Sequence, residues 1–164
     1  MDYGNRNQSG WWRKFTIMNF QDILDHLPYS EPFIFVDQLL EVNPKGVKGK
    51  YTFRSDLPFY SGHFKDNPVT PGAILTECCA QIGVVCLGIY LMDGESHERI
   101  NIALTSWEMD FLAPVFPGES VIVESKKIYF RFNKLKCKVN MHNLSGEQVC
   151  YGTIAGMLKT GNGE

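Results

Sequence analysis

Apolar and polar positions divide this chain into a short list of elements. In 19–27, NFQDILDHL, the residues Phe20, Ile23, Leu24 and Leu27 recur at helical spacing, and Pro28 follows. Residues 33–42, FIFVDQLLEV, are β-rich and predict a strand. The turn NPKG (43–46) then leads into a second strand over Val47–Arg54. Residues 72–92, GAILTECCAQIGVVCLGIYLM, form the longest apolar block, and Pro71 suits the first turn of a helix there. Apolar residues fall on every face of that helix, which predicts burial all round. A polar loop, DGESHER (93–99), separates it from a strand-rich half. Strands are predicted over Asn101–Phe111 and Ser120–Phe132, with PVFPGE (114–119) as the turn between them. Leu135, Cys137, Val139 and Met141 alternate with Lys136, Lys138, Asn140 and His142, as in a half-buried antiparallel strand. NLSGE (143–147) closes a hairpin onto a last strand, Gln148–Lys159. Strands run around one apolar helix, so the fold class is α+β, a curved antiparallel sheet wrapped on a long central helix.

The apolar block is about as long as a membrane span. Glu77 and Gln81 near one end, three glycines and no basic flank argue against that use. At 164 residues the chain fits a single domain, 18–160, preceded by an extension, 1–17, read as poorly ordered. A net charge of −2 gives no footprint for nucleic acid. The five cysteines, 78, 79, 86, 137 and 150, include no Cys-x-x-Cys pair, so neither a metal site nor a disulfide framework is expected. Cys78 and Cys79 read as small buried hydrophobes, and a reducing cytoplasm suits the set.

Candidate chemistry concentrates in 61–81, SGHFKDNPVTPGAILTECCAQ. Glu77 is a lone carboxylate in an otherwise apolar helix. Full burial there favours its protonated form and makes it a candidate general acid. Gln81 lies one turn on, where its amide can orient that carboxyl. Gly72 opens the helix with N–H groups free to hold a carbonyl or oxyanion. His63 sits in a loop stiffened by Pro68 and Pro71 and is a candidate base. Taken alone, a loop histidine is more often a polar turn residue, and Gln81 a satisfied core amide.

Together these residues resemble the FabZ-like (3R)-hydroxyacyl-[acyl-carrier-protein] dehydratases of the hot-dog fold. The family pattern GHFPGxPVMPG stands here as GHFKDNPVTPG, and E-A-M-A-Q as ECCAQ, with the same spacing of fourteen from His63 to Glu77. LPHRxPFLLVD appears as LPYSEPFIFVD (27–37), and the segment before the PGD turn as FLAPVFPGE (111–119). FabA-type enzymes resemble it less, because they carry Asp where Glu77 stands.

The resemblance implies dehydration of (3R)-hydroxyacyl thioesters to trans-2-enoyl thioesters, with His63 as base and Glu77 as acid. It implies that Gly72 holds the thioester carbonyl and that Val69, Ile74 and Phe111 line an acyl tunnel. No cofactor or metal is implied. The implied partners are an acyl carrier protein and a second copy in a homodimer, or a trimer of dimers, with no nucleic acid or membrane. Departures are Lys65-Asp66 for Pro-Gly, Thr70 for Met and Tyr29-Ser30 for His-Arg. They leave open a housekeeping or a specialised pathway, such as a polyketide or aryl-polyene one. A hot-dog thioesterase and a non-catalytic subunit of a heteromeric dehydratase are the alternatives. Lys126, Lys127, Arg131, Lys134, Lys136 and Lys138 cluster as a candidate docking patch for an acidic carrier, or as a solvated strand face.

Overall fold

The helix-and-sheet alternation resolves, in a computed structural model that describes residues 19–92 and 100–160, into a short first helix, a single 3₁₀ turn, one long helical rod and six strands. The expected extension 1–17, the loop 93–99 and the last four residues lie outside the described residues. A short helix, α1 (Phe20–Asp25), opens the fold. Asn19 caps it in a reciprocal capping box with Asp22.

The strands are β1 (Gln38–Asn43), β2 (Gly46–Thr52), β3 (Ile100–Phe111), β4 (Ser120–Arg131), β5 (Lys134–Asn143) and β6 (Gln148–Thr160). They form one antiparallel sheet in the order β1-β2-β4-β5-β6-β3. The alternation read in 135–142 is real: Leu135, Cys137, Val139 and Met141 are fully buried, and the residues between them face outward. At the β4–β5 turn Phe132 and Asn133 both adopt positive φ, 50° and 58°, the geometry of a two-residue primed hairpin turn.

The rod runs from Gly72 to Leu91 and crosses the inner face of the sheet. It consists of α2 (Gly72–Ala80), a π-helical stretch (Gln81–Cys86) and α3 (Leu87–Leu91). Its mean hydropathy is 1.8, and 78% of the apolar stretch is buried inside the protein, so its apolarity is spent on the core. Ile82, Leu87 and Ile89 meet Val123, Leu135, Ile154 and Leu158 in that core, each at most 2% exposed. Side chains of this kind contribute about 1.5–3 kcal/mol each when fully buried.

One predicted strand is shorter than its sequence implies. Residues 34–36 are buried or half-buried, yet 33–36 carry no ladder, and β1 begins only at Gln38. The reason is a competing partner. The Phe35 N–H donates to Gln81 Oε1 at 2.8 Å, and the Phe33 carbonyl accepts from Gln81 Nε2 at 3.1 Å. A side-chain amide of the rod takes the bonds a neighbouring strand would have taken.

Candidate functional site

A single-turn 3₁₀ helix, Pro58–Ser61, launches the histidine loop. The His63 N–H donates to the Phe59 carbonyl at 3.0 Å. The loop closes on itself where the Val69 N–H donates to the His63 carbonyl, also at 3.0 Å. His63 Nδ1 lies 2.8 Å from the Val69 carbonyl oxygen. A carbonyl only accepts, so Nδ1 carries the hydrogen and the Nε2 lone pair is free. The ring is half-buried and stacks on the exposed Phe64 at 4.2 Å.

Glu77 and Gln81 share one face of the rod. Gln81 Nε2 donates to Glu77 Oε1 at 2.9 Å. Gln81 is fully buried, and its bonds to Phe33 and Phe35 leave the amide one orientation. Glu77 Oε1 is therefore an acceptor of fixed direction, and Oε2 is left for a proton or a ligand. Within the single chain Glu77 is half-buried, which corrects the expectation of full burial. Among the described residues no hydrogen bond or ion pair joins His63 to Glu77.

The start of α2 is the third component. Ile74 and Leu75 donate to the Pro71 carbonyl, so the N–H of Gly72 precedes the first intrahelical bond. A Cβ on Gly72 would sit 3.2 Å from the Phe111 ring, so glycine keeps this approach open. Thr70, Gly72, Leu75, Phe111, Leu112, Ala113 and Pro114 line a cleft of about 420 Å³. Of the residues expected to line an acyl tunnel, Phe111 borders this cleft, whereas Val69 and Ile74 are half-buried beside the loop and helix start and do not.

Two tyrosines, Tyr29 and Tyr60, also stand beside these groups. Tyr29 is half-buried near Glu77. Burial first, and the Glu77 carboxylate second, push its phenol up to about 12. Its only sequence signal was its place in LPYSEPF, where the family pattern has histidine. Tyr60 is buried, and its hydroxyl lies 2.5 Å from that of Thr70. Nothing in the sequence pairs those two residues.

The buried cysteines are unsuited to nucleophilic work. Burial raises the Cys78 thiol, and contact with Cys150, followed by burial, raises Cys79. On the outer face of the β4–β5 ribbon, Lys126 stands opposite Lys138 and Arg131 opposite Lys134, with Lys136 opposite Tyr129. Arg131 stacks over the Tyr129 ring at 5.0 Å. None of these five cations has an ion-pair partner among the described residues. Lys127 faces the other way, opposite Cys137. Among the described residues no group of three His, Cys, Asp or Glu side chains is placed to hold a metal.

Residues 27–154 match the FabA-like domain family. The chain is 31% identical over 145 residues to the 3-hydroxyacyl-[acyl-carrier-protein] dehydratase FabZ of Wolbachia sp. subsp. Drosophila simulans, covering 86% of this chain and 96% of that protein. Identity to the enzyme of the same name from Caldicellulosiruptor bescii is also 31%, covering 86% and 99%. Among solved structures, the dehydratase heterocomplex ApeI:P from Xenorhabdus doucetiae superposes with a TM-score of 0.71 at 13% identity, covering 84% of this chain and 91% of that one. A hypothetical thioesterase from Streptococcus pneumoniae, solved with coenzyme A, gives 0.58 at 13% identity, covering 77% and 88%. At such identities the structures speak for the fold, and it is the hot-dog fold expected from the sequence.

Proposed function

Because the chain belongs to the FabA-like family, we propose that it dehydrates 3-hydroxyacyl thioesters of an acyl carrier protein to trans-2-enoyl thioesters, a step of fatty acid or related synthesis. The observation that carries this reading is the direction of the His63 ring. With Nδ1 donating to Val69, Nε2 is the atom able to take a proton. In the proposed reaction His63 Nε2 removes the C2 proton. The C2–H electrons become the C2=C3 bond. The C3–O bond breaks, and the hydroxyl leaves as water with a proton from Glu77 Oε2. Gln81 holds the carboxyl through Oε1. The proton on His63 then returns to Glu77 through solvent. The Gly72 N–H, at the helix start, steadies the thioester carbonyl as negative charge builds on it.

The same reading places the site between two copies, with His63 from one protomer and Glu77 from the other. The edge strand supports this. β3 is twelve residues long, ends the sheet and has no partner on its outer side among the described residues. Trp107 and Phe111 pair with Ile154 and Cys150, so they stand on the inner face, yet they are 61% and 49% exposed. A second copy joined at β3 would cover them. Such a protein works in the cytoplasm, with an acidic carrier delivering its substrate.

The test is to incubate the protein with a short (3R)-hydroxyacyl carrier-protein thioester and resolve the products by mass. Wild type is expected to lose one water from the intact thioester, and His63→Ala and Glu77→Gln to abolish that loss. Release of free acid would mean a thioesterase. No conversion at any chain length would mean a non-catalytic subunit.

A further inference from the structure

One polar side chain in the cleft is left unused by the reaction as written. Thr70 is 4% exposed and lines the cleft together with Gly72 and Phe111. Its N–H is occupied by the Val115 carbonyl at 2.8 Å, so the hydroxyl is the polar hydrogen it has to offer. That hydroxyl lies 2.5 Å from the Tyr60 hydroxyl. Two hydroxyls own two hydrogens, and one contact uses one of them. If Thr70 donated, the Tyr60 hydrogen would be stranded, because Tyr60 is buried behind Thr70, is not among the residues lining the cleft and has no other side-chain partner among the described residues. A stranded buried donor is costly. If Tyr60 donates, its own group is satisfied and Thr70 keeps a hydrogen at the cleft wall. Burial also raises the Tyr60 phenol above its ordinary range, so it stays a donor at neutral pH.

We propose that Thr70 is a second hydrogen-bond donor to the substrate's thioester carbonyl, beside the Gly72 N–H, and that Tyr60 is the positioning residue that aims it. The inference rests on the thioester reading above and deepens it. Removal of the C2 proton moves charge onto the carbonyl oxygen, and donors fixed there act at the moment of reaction. The related signature has methionine at this position, which offers no hydrogen. The second donor is thus a feature of this chain, and it ties the histidine loop to the helix start, since Tyr60 and Thr70 bracket His63.

The experiment compares wild type with Thr70→Val, Thr70→Ser, Tyr60→Phe and the Thr70→Val/Tyr60→Phe double variant. Thr70→Val keeps the shape and removes the donor. It is expected to lower kcat by about tenfold to a hundredfold with little change in KM, as a donor felt mainly in the transition state does. Thr70→Ser is expected to restore the rate. Tyr60→Phe lowers kcat by less, and the double variant is no worse than Thr70→Val, because both act through one hydrogen. A carbonyl-labelled trans-2-enoyl thioester bound to each protein is read by infrared. Loss of a donor moves its carbonyl stretch to higher frequency in Thr70→Val and not in Thr70→Ser. A stretch unchanged in Thr70→Val, or rate losses that add in the double variant, would overturn the proposal. Wild type without dehydratase activity would refute the reaction instead, and the spectrum of the bound thioester would still decide the role of Thr70.

Discussion

Replacing Gln81 by methionine keeps the length and approximate volume of the side chain and removes three hydrogen bonds at once. The consequences differ by partner. Phe35 is 1% exposed, so its N–H is left without an acceptor in the core, a loss of about 1–3 kcal/mol. Phe33 is 48% exposed and Glu77 half-buried, so water replaces the amide at both for little net cost. An apolar chain in a fully buried position returns about 1 kcal/mol through hydrophobic burial. The expected net loss is about 0–2 kcal/mol, centred near 1, which moves a urea midpoint down by roughly 0.5 M at a slope typical of small domains. Unfolding is followed at one fixed protein concentration, because the apparent stability of the proposed dimer would depend on it. Amide exchange at Phe35 is the local readout and is expected to accelerate far more than exchange in β5. An unchanged midpoint with Phe35 still protected would refute the reasoning. It would mean that residues 33–36 are held by packing and that the Gln81 amide is incidental.

Charge reversal at Lys134, Lys136 and Lys138 is expected to raise KM several-fold for carrier-protein substrates while sparing small thioester analogues. Equal loss on both substrates would remove the docking role of the ribbon. Trp107→Glu puts a charge on the uncovered inner face of β3. It is expected to yield monomers by sedimentation with dehydratase activity lost, and an active dimer would disprove the β3 junction. Burial raises the Cys86 thiol to about 12 and the Cys137 thiol to about 11, so the folded state keeps protons that the unfolded chain releases above its ordinary value of 9. Stability is full below about pH 9 and falls as pH rises through that window, by about 1.4 kcal/mol per pH unit for each thiol. Urea midpoints at pH 8 and pH 10.5 check this, and a flat profile would contradict it.

The strands β2, β4, β5 and β6 were legible because each buries one face, and a period of two survives in the residue types; β3 alternates likewise, although its inner face is largely exposed. The rod was legible because it is apolar all round. The limits of β1 were not. FIFVDQLLEV reads as one strand by composition, and only the distant Gln81, forty-six residues along from Phe35, takes the backbone bonds of its first part. The π-helical stretch was equally hidden, since QIGVVC suits an ordinary helix and the wider turn answers to packing. The residues proposed for the site, His63, Glu77 and Gln81, stand out in the sequence because they lie in one short segment with special neighbours. Their buried supports do not. The Tyr60–Thr70 contact and the Tyr29–Glu77 proximity are products of chain folding, and no local pattern announces either.

The glycines that argued against a membrane helix have a structural meaning that links fold to site. A Cβ on Gly83 would fall 2.9 Å from Val139 Cγ1, and one on Gly88 would fall 2.9 Å from Ile102 Cδ1. The sheet therefore touches the backbone of the rod at two points, one in the π-helical stretch and one in α3. Such contact fixes the rod's height and rotation above the sheet, because close-packed interiors leave no slack for either. Gln81 begins the π-helical stretch two residues before Gly83, so its amide reaches Phe33 and Phe35 from a position set by that contact. Glu77, one turn earlier, takes its direction from Gln81. The carboxylate proposed as the acid is thus placed by a chain of contacts that runs from the sheet through Gly83 to the Gln81 amide. The imidazole proposed as the base is held separately, by the loop that Val69 closes. Two independent supports suit the proposed site, whose halves would come from different protomers, because each half must be rigid before the two copies meet.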